Sequence, residues 1–213
     1  MPGAVEEQRH HWDGIYGSKE PSQVSWYQPV PRVSIELIEA LEVGVGTPVI
    51  DVGGGASTLV EELLARKFAD LTVLDISESA LQAARNRLGV DARRIHWIRQ
   101  DILGGWHPKR RYGLWHDRAV FHFFVNERDR KRYLEALGAS LAPGGVAVVA
   151  TFATDGPDHC SGLPVARYGA DELALALGEE FEQLASRREE HRTPSGVMQP
   201  FTWVAFRRGK VRS

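Results

Sequence analysis

Short apolar runs alternating with stretches of helical period constrain this chain more than any other feature. "PVIDVGGG" (48–55), "LTVLDIS" (71–77), "IHWIRQD" (95–101), "YGLWHDR" (112–118) and "VAVVATF" (146–152) read as five strands. Several are apolar throughout, as strands covered on both faces must be. Between them, residues 58–67 place Leu59, Val60, Leu63 and Leu64 on one helical face, and residues 78–88 do the same with Ala80, Leu81, Ala84 and Leu88. Residues 127–141 repeat the pattern with Tyr133, Leu134, Leu137 and Leu141, and "APGG" (142–145) is expected to stop that helix. Ser77 and Asn126 stand where helix caps belong. Such alternation predicts an α/β fold, a mostly parallel sheet with helices on both faces. "FEQLASRREEH" (181–191) and "QPFTWVAFRR" (199–208), joined through Thr193–Gly196, predict a terminal antiparallel hairpin. Before the first strand, residues 1–47 hold a helix at 32–41 and an aromatic approach to it.

The first strand runs into Gly53, Gly54 and Gly55, so a ligand is expected close to the backbone there, beyond the carboxyl ends of the strands. A dinucleotide turn would need a third glycine where Thr58 stands, and no Gly-Lys-Ser/Thr follows for a phosphate loop. Asp51 would repel a pyrophosphate but suits a ligand carrying ammonium or sulfonium charge. The helix opening at Ser57 and Thr58 turns N–H groups to the same place. Asp75, 24 positions after Asp51, is placed to accept ribose hydroxyls, with Ile76 and Ser77 following it. Asp101 is placed to accept from an adenine amine, with the Ile102 N–H facing the ring. Each aspartate alone also fits a helix cap. Together they describe a site for an adenosine with a cationic, phosphate-free tail, which is S-adenosylmethionine.

Composition removes other classes. Lys plus Arg total 26 against 28 Asp plus Glu, which gives no electrostatic case for nucleic acid. Cys160 is the only cysteine, so no intrachain disulfide forms and a reducing cytoplasm is expected. No apolar stretch approaches the ~20 residues of a membrane span, and residues 1–11 lack a signal-peptide centre. Arg207, Arg208, Lys210 and Arg212 are expected to form a solvated basic end. His116, His122, His159 and Cys160 have no metal-ligand spacing, so no metal is expected.

"DVGGGAS" (51–57), "LDIS" (74–77), "RQDI" (99–102) and "LAPGG" (141–145) resemble the motifs of class I S-adenosylmethionine-dependent methyltransferases. The resemblance runs from about Val49 to Phe206 and implies a Rossmann-like fold. It implies a seven-stranded sheet of order 3-2-1-4-5-7-6, strand 7 antiparallel, and S-adenosylhomocysteine as product. One domain is expected over 1–213, with 1–47 an N-terminal cover, 48–208 the core and 209–213 a tail. Ala56 and Ser57 stand where many relatives carry another glycine. "WDGIY" (12–16) and "SWYQ" (25–28) are similar to the elongation-factor lysine methyltransferases, and an aromatic cover is also similar to the thiopurine methyltransferases. "HDRAVFHFF" (116–124) departs from the pattern of the lysine enzymes and argues against a protein acceptor.

Methyl transfer from a sulfonium is an in-line displacement, so the protein's task is to orient the nucleophile and exclude water. Asp117, after strand four, is the leading candidate to contact the acceptor or the methionine ammonium. Arg118 is a candidate for an acceptor carboxylate, and His122, with an ordinary pKa of ~6.5, for a base. Trp12, Tyr16, Trp26 and Tyr27 are expected to form a lid attracting the sulfonium, Trp26 and Tyr27 foremost. The loop 153–164 is expected to wall the acceptor pocket, with Cys160 inert. A small-molecule acceptor and a monomer or homodimer are expected. The rivals are protein lysine methylation and a regulatory module that binds S-adenosylmethionine without transfer.

Overall fold

The computed structural model describes residues 2–209. Five parallel strands, β1 (Val49–Val52), β2 (Leu71–Asp75), β3 (Ile95–Arg99), β4 (Tyr112–Arg118) and β5 (Leu141–Phe152), form most of one sheet. A two-stranded hairpin, β6 (His159–Cys160) and β7 (Leu163–Pro164), stands apart from it. The chain then adds β8 (Phe181–Arg192) and β9 (Met198–Arg208) to the sheet, giving the order β3-β2-β1-β4-β5-β9-β8. β9 runs antiparallel to both its neighbours. This is the order the motifs implied, with the terminal hairpin where it was expected.

Strand periodicity sorts the core. Val49, Leu114, Val148 and Trp203 face one layer, while the next residues, Ile50, Trp115, Val149 and Val204, face the other. The first layer is closed by α2 (Arg32–Ala40) and α3 (Leu59–Ala65) through Ile35, Leu37, Leu59 and Leu63, and by Leu81 of α4 (Glu78–Leu88). The second is closed by α5 (Glu127–Ser140) and α6 (Ala170–Leu177) through Tyr133, Leu137, Leu173 and Leu177. Full burial of each such side chain contributes roughly 1.5–3 kcal/mol. The central strands β1 and β2 are buried at every residue, and that is why they read as unbroken apolar runs.

The caps form as the sequence predicts: Ser77 Oγ accepts from Ala80 N (3.1 Å) and Asn126 Oδ1 from Asp129 N (2.9 Å). Other details are corrected. "APGG" is not a break between helix and strand, because α5 ends at Ser140 and β5 already begins at Leu141, with Gly144 at φ 77 inside it. Arginines meet the carbonyls there instead: Arg111 (2.7 Å) and Arg208 both donate to Gly138 O in the last turn of α5, and Arg208 also donates to Leu141 O (2.6 Å) just after it. Arg207 and Arg208 therefore belong to β9 rather than to a solvated end, and Lys210 and Arg212 lie outside the described residues. Of the aromatic approach, Trp12 and Tyr16 lie on a helix, α1 (Pro2–Ser18), while Trp26 and Tyr27 follow it outside any helix, and α6 adds a helix where none was expected. No described helix is long and apolar enough to cross a membrane.

Candidate active site

The parallel strands deliver their carboxyl ends to one edge of the sheet, and two adjoining cavities open there. The glycine turn after β1 lies between them. Gly53 has φ 65, and a Cβ on it would stand 2.1 Å from Val120 Cγ2, so no other residue fits. A Cβ on Gly54 would meet Asp51 Oδ2 at 2.4 Å. The turn is therefore threaded against carboxylates as well as against the segment after β4.

The larger cavity is lined by Asp75 and Ile76 after β2, by Gln100, Asp101 and Ile102 after β3, and by Gly53. Its far end is mostly apolar, with Val120, Phe123, Phe124, Phe152, Leu163 and Phe201, but Cys160, Gln199 and Arg118 also line the cavity. Gln8, Trp12 and Tyr16 of α1 and Trp26 roof it. Asp75 is almost fully buried, its Oδ1 accepts from Ser77 N (2.8 Å), and burial pushes its pKa up to about 7, with Asp51 and Asp13 adding to the rise. Asp101 Oδ1 accepts from Leu103 N (2.8 Å).

The smaller cavity lies behind the glycine turn, lined by Tyr27, Gln28, Pro31, Ser34, Asp51, Gly54, Ser57, Thr58 and His116, among others. Asp51 Oδ1 is 2.7 Å from His116 Nδ1, and His116 Nε2 is 3.0 Å from Ser34 Oγ. A carboxylate only accepts, so the imidazole proton belongs on Nδ1 and Nε2 accepts from the hydroxyl. Asp51 is thereby held from one side, while its Oδ2 is buried without a partner. Thr58 Oγ1 donates to Gln28 O (2.9 Å), tying the N-terminal segment to the glycine turn, and Ser57 Oγ accepts from Leu59 N (3.1 Å).

Trp26 is the keystone of the roof. Its Nε1 donates to Tyr16 Oη (3.1 Å), and its ring meets Trp12 and Tyr16 edge-on at 5.9 and 6.0 Å. Trp12 in turn meets Phe123 at 5.3 Å. Between Trp12 and Tyr16, α1 is latched by Asp13, whose Oδ1 accepts from Ser77 Oγ (2.6 Å) and Ser79 N (3.1 Å) at the start of α4.

Four of the residues expected in the site do not line it. Asp117 is fully buried on the other side of β4, where its carboxylate accepts from Val120 N (2.8 Å), Phe121 N (3.1 Å) and Tyr133 Oη (2.6 Å). Those bonds commit the carboxylate to holding the turn after β4, and burial raises its pKa to about 6. His122 is fully buried between Phe123 and Phe152, at 4.5 and 4.9 Å. Burial and the nearby Arg118 charge lower its pKa to about 3, which removes it as a base near neutrality. Ser77 Oγ is spent on the α4 cap and on Asp13, and Gly55 packs under the turn against Asp75. Trp26, Tyr27, Asp51, Gly53, Gly54, Ser57, Thr58, Asp75, Ile76, Asp101, Ile102 and Arg118 all line one cavity or both.

Residues 50–147 match the family model described as "Methyltransferase domain". That stretch, a little under half of the chain, runs from β1 into β5 and contains the glycine turn, Asp75 and Asp101. The chain is similar to EEF1A lysine methyltransferase 2 of Danio rerio, 26% identical over 156 residues, which is 66% of this chain and 66% of that protein. The match thus spans just under two thirds of that relative's length. Among solved structures, an S-adenosylmethionine-dependent methyltransferase from Anabaena variabilis superposes with a TM-score of 0.74 at 18% identity, covering 96% of this chain and 95% of the other. A Burkholderia thailandensis 1,6-didemethyltoxoflavin-N1-methyltransferase, solved with that compound and S-adenosylhomocysteine, superposes with a TM-score of 0.68 at 18% identity, covering 98% and 89%. At such identities these are likenesses of fold.

Sequence reasoning about the site missed Gln8, Gln100, Val120, Phe123, Phe152, Gln199 and Phe201 as lining residues. Phe152 and Phe201 face one another across β5 and β9, 4.9 Å between rings, a pairing that appears only once the hairpin register is known. The hairpin of loop 153–164 turns through Ser161 and Gly162, both at positive φ (50 and 77), and presents Cys160 and Leu163 to the cavity. Burial raises the Cys160 thiol to about 11, in keeping with an inert side chain. Among the described residues no cluster suited to a metal ion occurs.

Proposed function

We propose that this chain, acting as one domain, transfers a methyl group from S-adenosylmethionine to a small-molecule acceptor. The observation that carries the proposal is the larger cavity itself. One end is polar, with Asp75 and Asp101 at consecutive strand ends, the other is aromatic, and the chain's own N-terminal helix roofs both. The donor set fits the cofactor: Asp75 for the ribose hydroxyls, Asp101 and Ile102 for the adenine edge, and the glycine turn for close approach. The partnerless Asp51 Oδ2 suits a cationic amino-acid end. When bound, S-adenosylmethionine supplies a methyl on a sulfonium whose departure needs no protonation.

The remaining work falls to the chain's own residues. Phe123, Phe152 and Phe201 orient an apolar or aromatic acceptor, while Trp12, Tyr16 and Trp26 exclude water. No lining group offers a base of ordinary pKa at the aromatic end: Cys160 holds its proton to about pH 11, and burial keeps Tyr16 protonated. The acceptor therefore arrives with its lone pair available, so turnover tracks the acceptor's own ionisation rather than an enzyme base.

A second reading, transfer to a protein lysine, is favoured by the likeness to EEF1A lysine methyltransferase 2. Radiolabelled methyl supplied as S-adenosylmethionine to a cleared lysate separates the two. Enzyme-dependent label in the small-solute fraction is expected, whereas label on a discrete protein band would establish the lysine reading instead. Saturable cofactor binding with label in neither fraction would favour a regulatory binding module.

A further inference from the structure

Arg118 closes β4 at the boundary of the two cavities and lines both. Its Nη1 donates to Trp26 O (2.9 Å), and its guanidinium carbon lies 4.5 Å from the centre of the Phe201 ring. Those contacts fix the plane of the group. Nε and Nη2, the pair along one edge of the fork, are cut off from solvent and have no partner. Glu189 acts on the charge through space, but its oxygens are engaged elsewhere: Oε1 accepts from Gln28 Nε2 (2.5 Å) and Oε2 from Trp203 Nε1 (2.8 Å). Among the described residues Arg118 thus has no ion-pair partner, although it is the one arginine placed where both cavities meet.

A buried charge with idle donors costs stability unless an opposite charge completes it. A guanidinium edge of two parallel N–H groups matches one ligand chemistry best, a carboxylate held through both oxygens. We propose that Arg118 is a carboxylate subsite, engaged through Nε and Nη2 with modest repacking of the residues that cover them. The carboxylate comes from the acceptor or from the amino-acid end of the cofactor, and only these two carriers rest on the function proposed above. In the larger cavity Phe152 and Phe201 stand beside Arg118, suiting an aromatic or apolar acid. In the smaller cavity Asp51 Oδ2 offers the matching negative charge for an amino-acid ammonium.

The test titrates the purified protein, Arg118→Lys and Arg118→Met with S-adenosylhomocysteine and with methylthioadenosine, which lacks the amino-acid end. Benzoate is then titrated into the proteins loaded with S-adenosylhomocysteine. A preference for S-adenosylhomocysteine of about tenfold or more that collapses in both variants supports the subsite and assigns it to the cofactor. An unchanged preference, with benzoate binding only the unaltered protein, supports the subsite and assigns it to the acceptor. S-adenosylhomocysteine and benzoate behaving alike in all three proteins overturns the subsite while leaving the methyltransferase reading intact. If no nucleoside binds, that reading fails, and benzoate titrated into the ligand-free protein decides the subsite alone: binding abolished in Arg118→Met supports it, and any other result overturns it. The melting temperature separates a structural role, since Arg118→Met is expected to melt at or above the parent once the idle charge is gone. A marked fall in both variants with unchanged binding would make Arg118 a structural residue and end the proposal.

Discussion

Asp75 is where burial and function pull against each other. Its native pKa of about 7 lies far above the ~3.9 of an unfolded aspartate. Between those values the native state binds the additional proton, so the ligand-free protein loses stability as pH rises from about 4 towards 7. The ionised form is the better acceptor for two ribose hydroxyls, so affinity for S-adenosylhomocysteine is expected to rise through about pH 7 and level off above it. Asp75→Asn should flatten that rise, and titrations across pH would show it. Asp117 gives the opposite expectation. With its carboxylate committed to Val120, Phe121 and Tyr133, Tyr133→Phe should cost roughly 1–3 kcal/mol of stability and leave cofactor affinity within about twofold. A large change in affinity with little loss of stability would return Asp117 to the site. Asp117 was expected at the cavity because sequence gives the strand end but not the face, and His122 because sequence does not show how the turn after β4 buries it against Phe123 and Phe152. On β4, Asp117 points to α5, while His116 and Arg118, one residue either side, point to the cavities.

Among the elements, α1 has most to do with access. It spans the larger cavity with Gln8, Trp12 and Tyr16 and is held at α4 by Asp13, whose carboxylate supplies an N-terminal acceptor to a helix from another part of the chain. Removing a capping acceptor costs about 0.5–2 kcal/mol, so Asp13→Ala is expected to speed cofactor release several-fold. Trp12 and Trp26 fluorescence in stopped flow would report it, and an unchanged release rate would mean that α1 does not gate the cavity. The buried strands were legible because they carry β-rich apolar runs, and α4 and α5 because their caps are spelled out. α1 was not, because its mixed composition has no clear apolar stripe, and its aromatics serve a roof that only the folded sheet defines. α6 is short, and its apolar residues gain a face only when β8 and β9 are in place.

At the scale of the whole molecule, the order of the sheet brings the ends of β1, β2, β3 and β4 to one edge, and the antiparallel β9 adds Phe201 beside Phe152. Asp51, Asp75 and Asp101 lie far apart in the chain, yet all reach that edge because parallel strands end alike. That regularity made the polar end of the site readable from spacing. The aromatic end was not, because it is assembled from α1, the turn after β4, the β6–β7 hairpin and β9, which meet only in three dimensions. The most direct measurement is calorimetric titration of the purified protein with S-adenosylhomocysteine, beside Asp75→Ala. The account predicts saturable one-to-one binding that the variant weakens by more than ~1 kcal/mol, roughly fivefold. Absent binding, or binding that Asp75→Ala leaves untouched, would contradict the assignment of the cavity to this cofactor.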